Sequence, residues 1–237
     1  MKSVNPRHPR RKTKPLALPQ GTRAFRRLLL RWYALHRRAL PWRGTRDPYE
    51  VLVSEFMLQQ TQVTRVMGHY PRFLRRYPTL EDLAAAPPDA VRDSWSGLGY
   101  YARARNLHAA VRRVVREHDG VFPTDPVALR RLPGIGQYTA GAVASIAFGA
   151  DAAAVDTNIA RVLSRVFRVR GARGSAARAA RLWKLAERVL PRGRAGDWNQ
   201  ALMDLGATIC VARRPRCIAC PLASVCPRAS ARTSSER

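Results

Sequence analysis

Acidic side chains are scarce in this chain. Only 16 Asp and Glu stand against 43 Lys and Arg in 237 residues, a formal net charge of +27. A compact protein with that excess repels itself, which argues against a life without a polyanionic partner. Nucleic acid fits first, and an anionic membrane surface second. Long apolar runs are also missing. No stretch approaches the roughly 18–20 residues of a membrane span, and the N-terminus has no apolar segment of the signal-peptide kind. The expectation is a soluble, cytoplasmic protein with no membrane attachment. Strand-like alternation and internal repeats are absent as well, which leaves an all-α chain. Cysteine does not occur before Cys210.

The first 20 residues carry Lys2, Arg7, Arg10, Arg11, Lys12 and Lys14 among four prolines and no acid, the composition of a disordered basic tail. From Thr22 a helical stripe begins: Phe25, Leu28, Leu29, Trp32 and Leu35. Pro41 ends it. Asp47 is a natural cap for the next helix, with Pro48 at its first position. That helix is expected to run from Pro48 to about Tyr70. Glu55 sits among Val51, Leu52, Phe56, Met57 and Leu58. A carboxylate there is costly unless it is partnered or protonated; the ordinary alternative is a solvated helix-face Glu.

Two short helices follow, Leu80 to Ala84 and Ala90 to Trp95. The stretch Gly97-Leu98-Gly99-Tyr100-Tyr101-Ala102-Arg103-Ala104-Arg105 mixes glycines, aromatics and arginines. It suits base stacking and phosphate contact, or is a loop before an amphipathic helix from Leu107 to His118. Leu132-Pro133-Gly134-Ile135-Gly136 places two glycines around one apolar residue, just before a small-residue helix from Gln137 to Phe148. Such a hairpin is either a tight turn or a phosphate seat at a helix N-terminus. Asp156 caps a further helix by its position. Residues 171–180 read as an exposed Gly/Ala/Arg-rich segment, followed by helices Leu182 to Leu190 and Trp198 to Cys210.

The cysteines Cys210, Cys217, Cys220 and Cys226 have the spacing C-x6-C-x2-C-x5-C. Clustered thiols in an intracellular chain point to metal rather than disulfides. Zn²⁺ and an iron–sulfur cluster both fit the spacing.

Several of these motifs, in this order, resemble the helix-hairpin-helix DNA glycosylases, the endonuclease III superfamily. They are the hairpin Leu132 to Gly136, Asp156 and the cysteine loop. Ser54 to Val63, Gly97 to Arg103, and Met203-Asp204-Leu205-Gly206-Ala207 are similar to the adenine-glycosylase (MutY-type) branch. The likeness runs from about Phe25 to Pro227. It implies a six-helix barrel lobe at residues 40–149 and an iron–sulfur cluster lobe at 21–39 and 150–228, with a cleft between them and a polar tail at 229–237. The four cysteines then hold a [4Fe–4S] cluster.

The resemblance also implies the chemistry: double-stranded DNA containing a mispair, bound by a monomer, with the target base flipped out. Glu55 is the general acid to adenine. Asp156 faces the sugar cation, and Asn158 holds that carboxylate. Tyr138 stands where strand-cutting relatives carry a Schiff-base lysine, so base removal without lyase activity is expected, with the phenol bonding near Asp156. Gln60 wedges beside the flipped base, and Tyr100 intercalates next to the opposite base, an oxidised guanine in this family. Gly134 and Gly136 hold a phosphate. Familiar adenine glycosylases continue into an 8-oxoguanine-reading domain, whereas this sequence ends about ten residues after Cys226, so no such domain is expected. The alternatives are a glycosylase of the same fold for thymine or hypoxanthine, and a non-catalytic DNA-binding protein.

Overall fold

A computed structural model describes residues 18–172 and 174–229. The basic tail before residue 18 and the polar tail after residue 229 lie outside the described residues. Among those described, the chain is all helical, and no helix is long and apolar enough to cross a membrane.

Helix α1 (Thr22–His36) buries Phe25 and Leu29 of its expected stripe, and Tyr33 besides; Leu28 and Trp32 are half-buried, and Leu35 is exposed because the inward face drifts to Tyr33. Helix α2 (Pro48–Leu58) starts as expected: the Asp47 side chain accepts from Tyr49 N and Glu50 N, and Pro48 needs no donor. Its residues from Val51 to Met57 are all buried. The expected continuation to Tyr70 does not occur. The chain turns at Gln59 to Gln62, with Gln60 at φ 54°, and restarts as α3 (Val63–Arg76). At the break, a side chain remote in sequence takes the freed groups: the Arg103 guanidinium donates to the Phe56, Met57 and Gln59 carbonyls.

Helix α4 (Leu80–Ala85) opens on a reciprocal Thr79–Asp82 capping box. Helices α5 (Pro88–Ser94) and α6 (Ala102–Glu117) follow. Helix α7 (Pro126–Leu129), the Leu132–Gly136 hairpin and α8 (Gln137–Ala147) form the helix-hairpin-helix unit. Helix α9 (Thr157–Val166) starts at Asp156. Helix α10 (Ala176–Val189) begins earlier than its apolar pattern suggests: Ser175 accepts from Arg178 N, and the exposed Ala/Arg run is helix-forming on its own. Helix α11 (Ala195–Thr208) completes the set.

Two apolar cores result. One is built around α2, which packs on α3, α6 and α8, with Phe56, Met57, Trp95 and Leu107 at its heart. The other is built around α11, which packs on α1, α8 and α9, with Phe25, Ile159, Leu163 and Trp198 inside. Helix α8 serves both: Val143 and Ala144 face the first core, Tyr138 and Ala142 the second.

The segment between α1 and α2 is tied to α11 by a buried ion pair. Asp204 is fully buried and meets Arg38 Nη2 and Arg43 Nη2, each at 2.7 Å, and also accepts from Arg38 N. Burying a carboxylate is tolerable only with such complete pairing. Replacing Asp204 with Asn leaves two arginines without their counter-charge. The expected loss is about 3–5 kcal/mol of stability, read from the urea unfolding midpoint.

Candidate active site

A cavity of about 740 Å³ opens between the two cores. Its walls include Glu55, Tyr138, Asp156, Asn158 and Gln60, five of the residues singled out in the sequence. Arg43, Trp183 and Met203 line it too, and no local motif marked Arg43 or Trp183.

Glu55 is buried in the last turns of α2, and its Oε2 has no hydrogen-bond partner among the described residues. Burial pushes its carboxyl up to about 7; the Tyr138 hydroxyl and the Arg43 charge act the other way, and Asp156 adds to the rise. The solvated-surface reading of this glutamate is therefore excluded. With its carboxyl at about 7, a large share of Glu55 still holds a proton near neutral pH.

Asp156 is buried as well, but its two oxygens are hydrogen-bonded. Its Oδ1 accepts from Ile159 N at 2.6 Å, capping α9, and its Oδ2 accepts from Asn158 Nδ2 at 2.8 Å. Capping and a place in the cavity are thus compatible, one oxygen for each. Burial raises its pKa, while these hydrogen bonds and Arg161 favour the carboxylate. Asn158 in turn accepts from Arg161 Nη2 at 2.6 Å, and Arg161 Nε donates to the Cys210 carbonyl at 2.8 Å.

The Tyr138 hydroxyl bears on both carboxyl groups: it hydrogen-bonds to Glu55, feels the charge of Asp156, and lies 3.9 Å from Met203 Sδ. Tyr138 sits in the first turn of α8, which packs on α2. Burial, then the nearby carboxylates, raise its pKa well above the ordinary phenol range.

Gln60 and Tyr100 are both exposed, and both occupy left-handed backbone, at φ 54° and 49°. Between them lies a second cavity of about 350 Å³, shared with Thr61, Arg65 and Leu98. Of the arginines in the Tyr100 stretch, Arg105 is exposed, but Arg103 points inward and is buried, so it cannot meet a phosphate.

In the hairpin, Leu132 and Ile135 are buried while Gly134 and Gly136 face out. Gly134 has φ 70°, and a Cβ there would fall 2.6 Å from Asn106 Cβ and 3.0 Å from Phe56 Cε1. Gly136 caps α8 with no side-chain hydrogen bond, which leaves first-turn N–H groups toward solvent.

The four cysteines line one small cavity beside Arg165 and Arg216. Cys220 is pushed up to about 11, by burial first and then by the other three sulfurs. Four gathered thiols of this kind cannot all ionise without a cation among them, so the donor set fits a thiolate-bound group. Arg165 Nη1 lies 3.2 Å from Cys210 Sγ and would offset part of the thiolate charge.

An all-helical chain with a hairpin-led α8, two carboxyl groups in one cavity, and Gln60 and Tyr100 exposed beside it fits a class of DNA repair protein. The chain belongs to the HhH-GPD superfamily of base excision DNA repair proteins, whose model matches residues 53–188. It is 46% identical over 223 residues to the adenine DNA glycosylase of Homo sapiens, a match covering 90% of this chain and 41% of the human one. The chain thus spans about two fifths of that relative's length. Among solved structures it resembles a thermostable thymine-DNA glycosylase, with TM-score 0.81 and 34% identity over 90% of this chain and 98% of that one. It also resembles endonuclease III in a trapped covalent DNA intermediate, with TM-score 0.73 and 26% identity, again over 90% and 98%.

Glu55 also sets a pH-dependent stability. Below about its ordinary value of 4.5 the group is protonated in folded and unfolded chains alike. Between there and about 7 only the unfolded chain ionises, so stability drains as pH rises, and the loss is complete above about 7. Glu55→Gln removes this titration. The variant is expected to match the wild type near the acid end and to exceed it by about 3 kcal/mol at roughly pH 8. Urea unfolding at both pH values checks this, and an equal difference at the two would refute it.

Proposed function

We propose that this chain is a monofunctional DNA glycosylase of base excision repair, acting as a monomer on double-stranded DNA. Its substrate in this reading is adenine mispaired with 8-oxoguanine or guanine. The observation that carries it is the pairing of Glu55 and Asp156 in one cavity: burial raises both, but Glu55 Oε2 has no partner among the described residues, while both oxygens of Asp156 accept hydrogen bonds that favour its carboxylate. Cleavage of a purine N-glycosidic bond asks for that pair. Glu55 delivers its proton to the flipped adenine ring. The C1′–N bond then breaks with its electron pair leaving on the base, and Asp156 faces the positive charge on the sugar. Water adds at C1′ and releases a proton, giving free adenine and an abasic site. Tyr138 orients Glu55, and as a phenol it forms no imine. The likeness to adenine DNA glycosylases supports the choice of base.

The hairpin amides at Gly134 and Gly136 would hold a backbone phosphate at the start of α8. Gln60 would occupy the gap beside the flipped base and Tyr100 would stack by the opposite one. Cys210, Cys217, Cys220 and Cys226 would hold a [4Fe–4S] cluster, which when bound stiffens the C-terminal loop and presents Arg213 and Arg214 toward DNA.

A second reading has specific support: the thymine-DNA glycosylase likeness covers nearly all of that chain. A panel of duplexes carrying A·8-oxoguanine, A·G, T·G and hypoxanthine mispairs separates the two. Adenine release is expected from the first two, with no borohydride-trapped adduct and with activity abolished in Glu55→Gln. Thymine release alone would overturn the choice of base, and no product from any duplex would leave a DNA-binding protein.

Purified protein is expected to carry about four irons per chain and little zinc. Cys217→Ser should lose both the iron and the visible absorbance. Stoichiometric zinc would refute the cluster.

A further inference from the structure

The sequence from Pro48 to Tyr70 reads as one helix, yet the chain breaks it at the residue proposed to enter the duplex. Arg103 is the side chain that takes the carbonyls left by the break. It is 7% exposed, and no carboxylate bonds to it among the described residues. Its Nη1 donates to the Phe56, Met57 and Gln59 carbonyls at 2.9, 2.8 and 2.5 Å. Its Nη2 donates to the Leu98 and Gly99 carbonyls at 3.1 and 3.0 Å. The guanidinium also sits over the Trp95 and Tyr100 rings, at 5.6 and 5.7 Å. One nitrogen thus holds the turn that carries Gln60, and the other holds the turn that carries Tyr100.

Both probing residues adopt left-handed backbone, which non-glycine residues occupy only when their surroundings impose it. A planar fork with fixed donor directions can impose it on two turns at once; an ammonium cannot. Remove the fork, and the α2 carbonyls are free to continue the helix through Gln60, as the local sequence favours. The rest of the Tyr100 loop stays anchored, because His69 Nε2 bonds to the Ser96 carbonyl at 3.0 Å from α3.

We propose that Arg103 is a positioning residue that sets the separation of Gln60 and Tyr100, and through it the discrimination of the base opposite the target. This rests on the glycosylase reading above, so the test has one arm that needs turnover and one that does not. In the first arm, the full chain and Arg103→Lys are compared in single-turnover excision from A·8-oxoguanine and A·G duplexes. Arg103→Lys is expected to slow the first at least tenfold and to bring the ratio of the two rates toward one. Affinity for undamaged duplex should stay within about twofold. Arg92→Gln, which removes one exposed charge from α5, should change neither rate. An unchanged ratio in Arg103→Lys would overturn the proposal.

In the second arm, 2-aminopurine beside the mispair reports unstacking on binding. Wild type should brighten it and Arg103→Lys should not; equal brightening would overturn the proposal even if no duplex yields a product. If Arg103→Lys fails to fold, NMR of the Arg103 guanidinium in wild type replaces it. Slowed rotation and protected protons are expected in the free and the duplex-bound chain, and free rotation in either would overturn the assignment.

Discussion

Taking one carboxyl group out of water is the constraint that the rest of this structure serves. The Glu55 carboxyl is pushed up to about 7 because α2 is buried on nearly every side. That burial needs α3, α6 and α8 packed around α2, and it needs Asp156 brought into the same cavity from the other core. The burial costs folded-state stability as the pH rises toward 7, the usual direction of trade where a titratable group is desolvated. Arg43 bears on both sides of it. It pairs with Asp204 on α11, and its charge moderates the rise at Glu55.

With so few acids, the arginines have found other partners. Arg26 bonds to the Val189 and Leu190 carbonyls where α10 ends. Arg103 does the same for α2, and Arg161 and Arg165 both reach the Cys210 carbonyl just beyond α11. Helix C-termini carry partial negative charge and unpaired carbonyls, so a guanidinium there is satisfied without a carboxylate. The basic composition is therefore only partly a nucleic-acid signal. Some of these cations are internal fasteners that leave no charge for a phosphate.

Much of the fold could be read locally. The α1 stripe, the Asp47-Pro48 start, the hairpin before α8 and the cap at Asp156 all depend on neighbours within one or two helical turns. Glu55 stood out because its neighbours are apolar, and the cysteines because of their spacing. What could not be read depends on distant partners. The break after Leu58 is held by a side chain more than forty residues away in sequence. The Asp204 pairing joins residues over 160 apart, and the Tyr138 hydroxyl meets Glu55 only because α8 lies on α2. The inward turn of Arg103 is hidden for the same reason: its local pattern matches that of an exposed arginine.

Gly134 ties two parts that look independent along the chain. Its missing side chain lets the hairpin lie directly against Phe56, the residue after Glu55, with Asn106 closing the other side. The hairpin and the acid therefore ride on one rigid block. Under the proposed function, a strand held by the hairpin would lie at a fixed reach from the proton, as a jig holds work at a fixed distance from the tool. The register between grip and cavity is thus set by van der Waals contact, with no loop able to lengthen or shorten it.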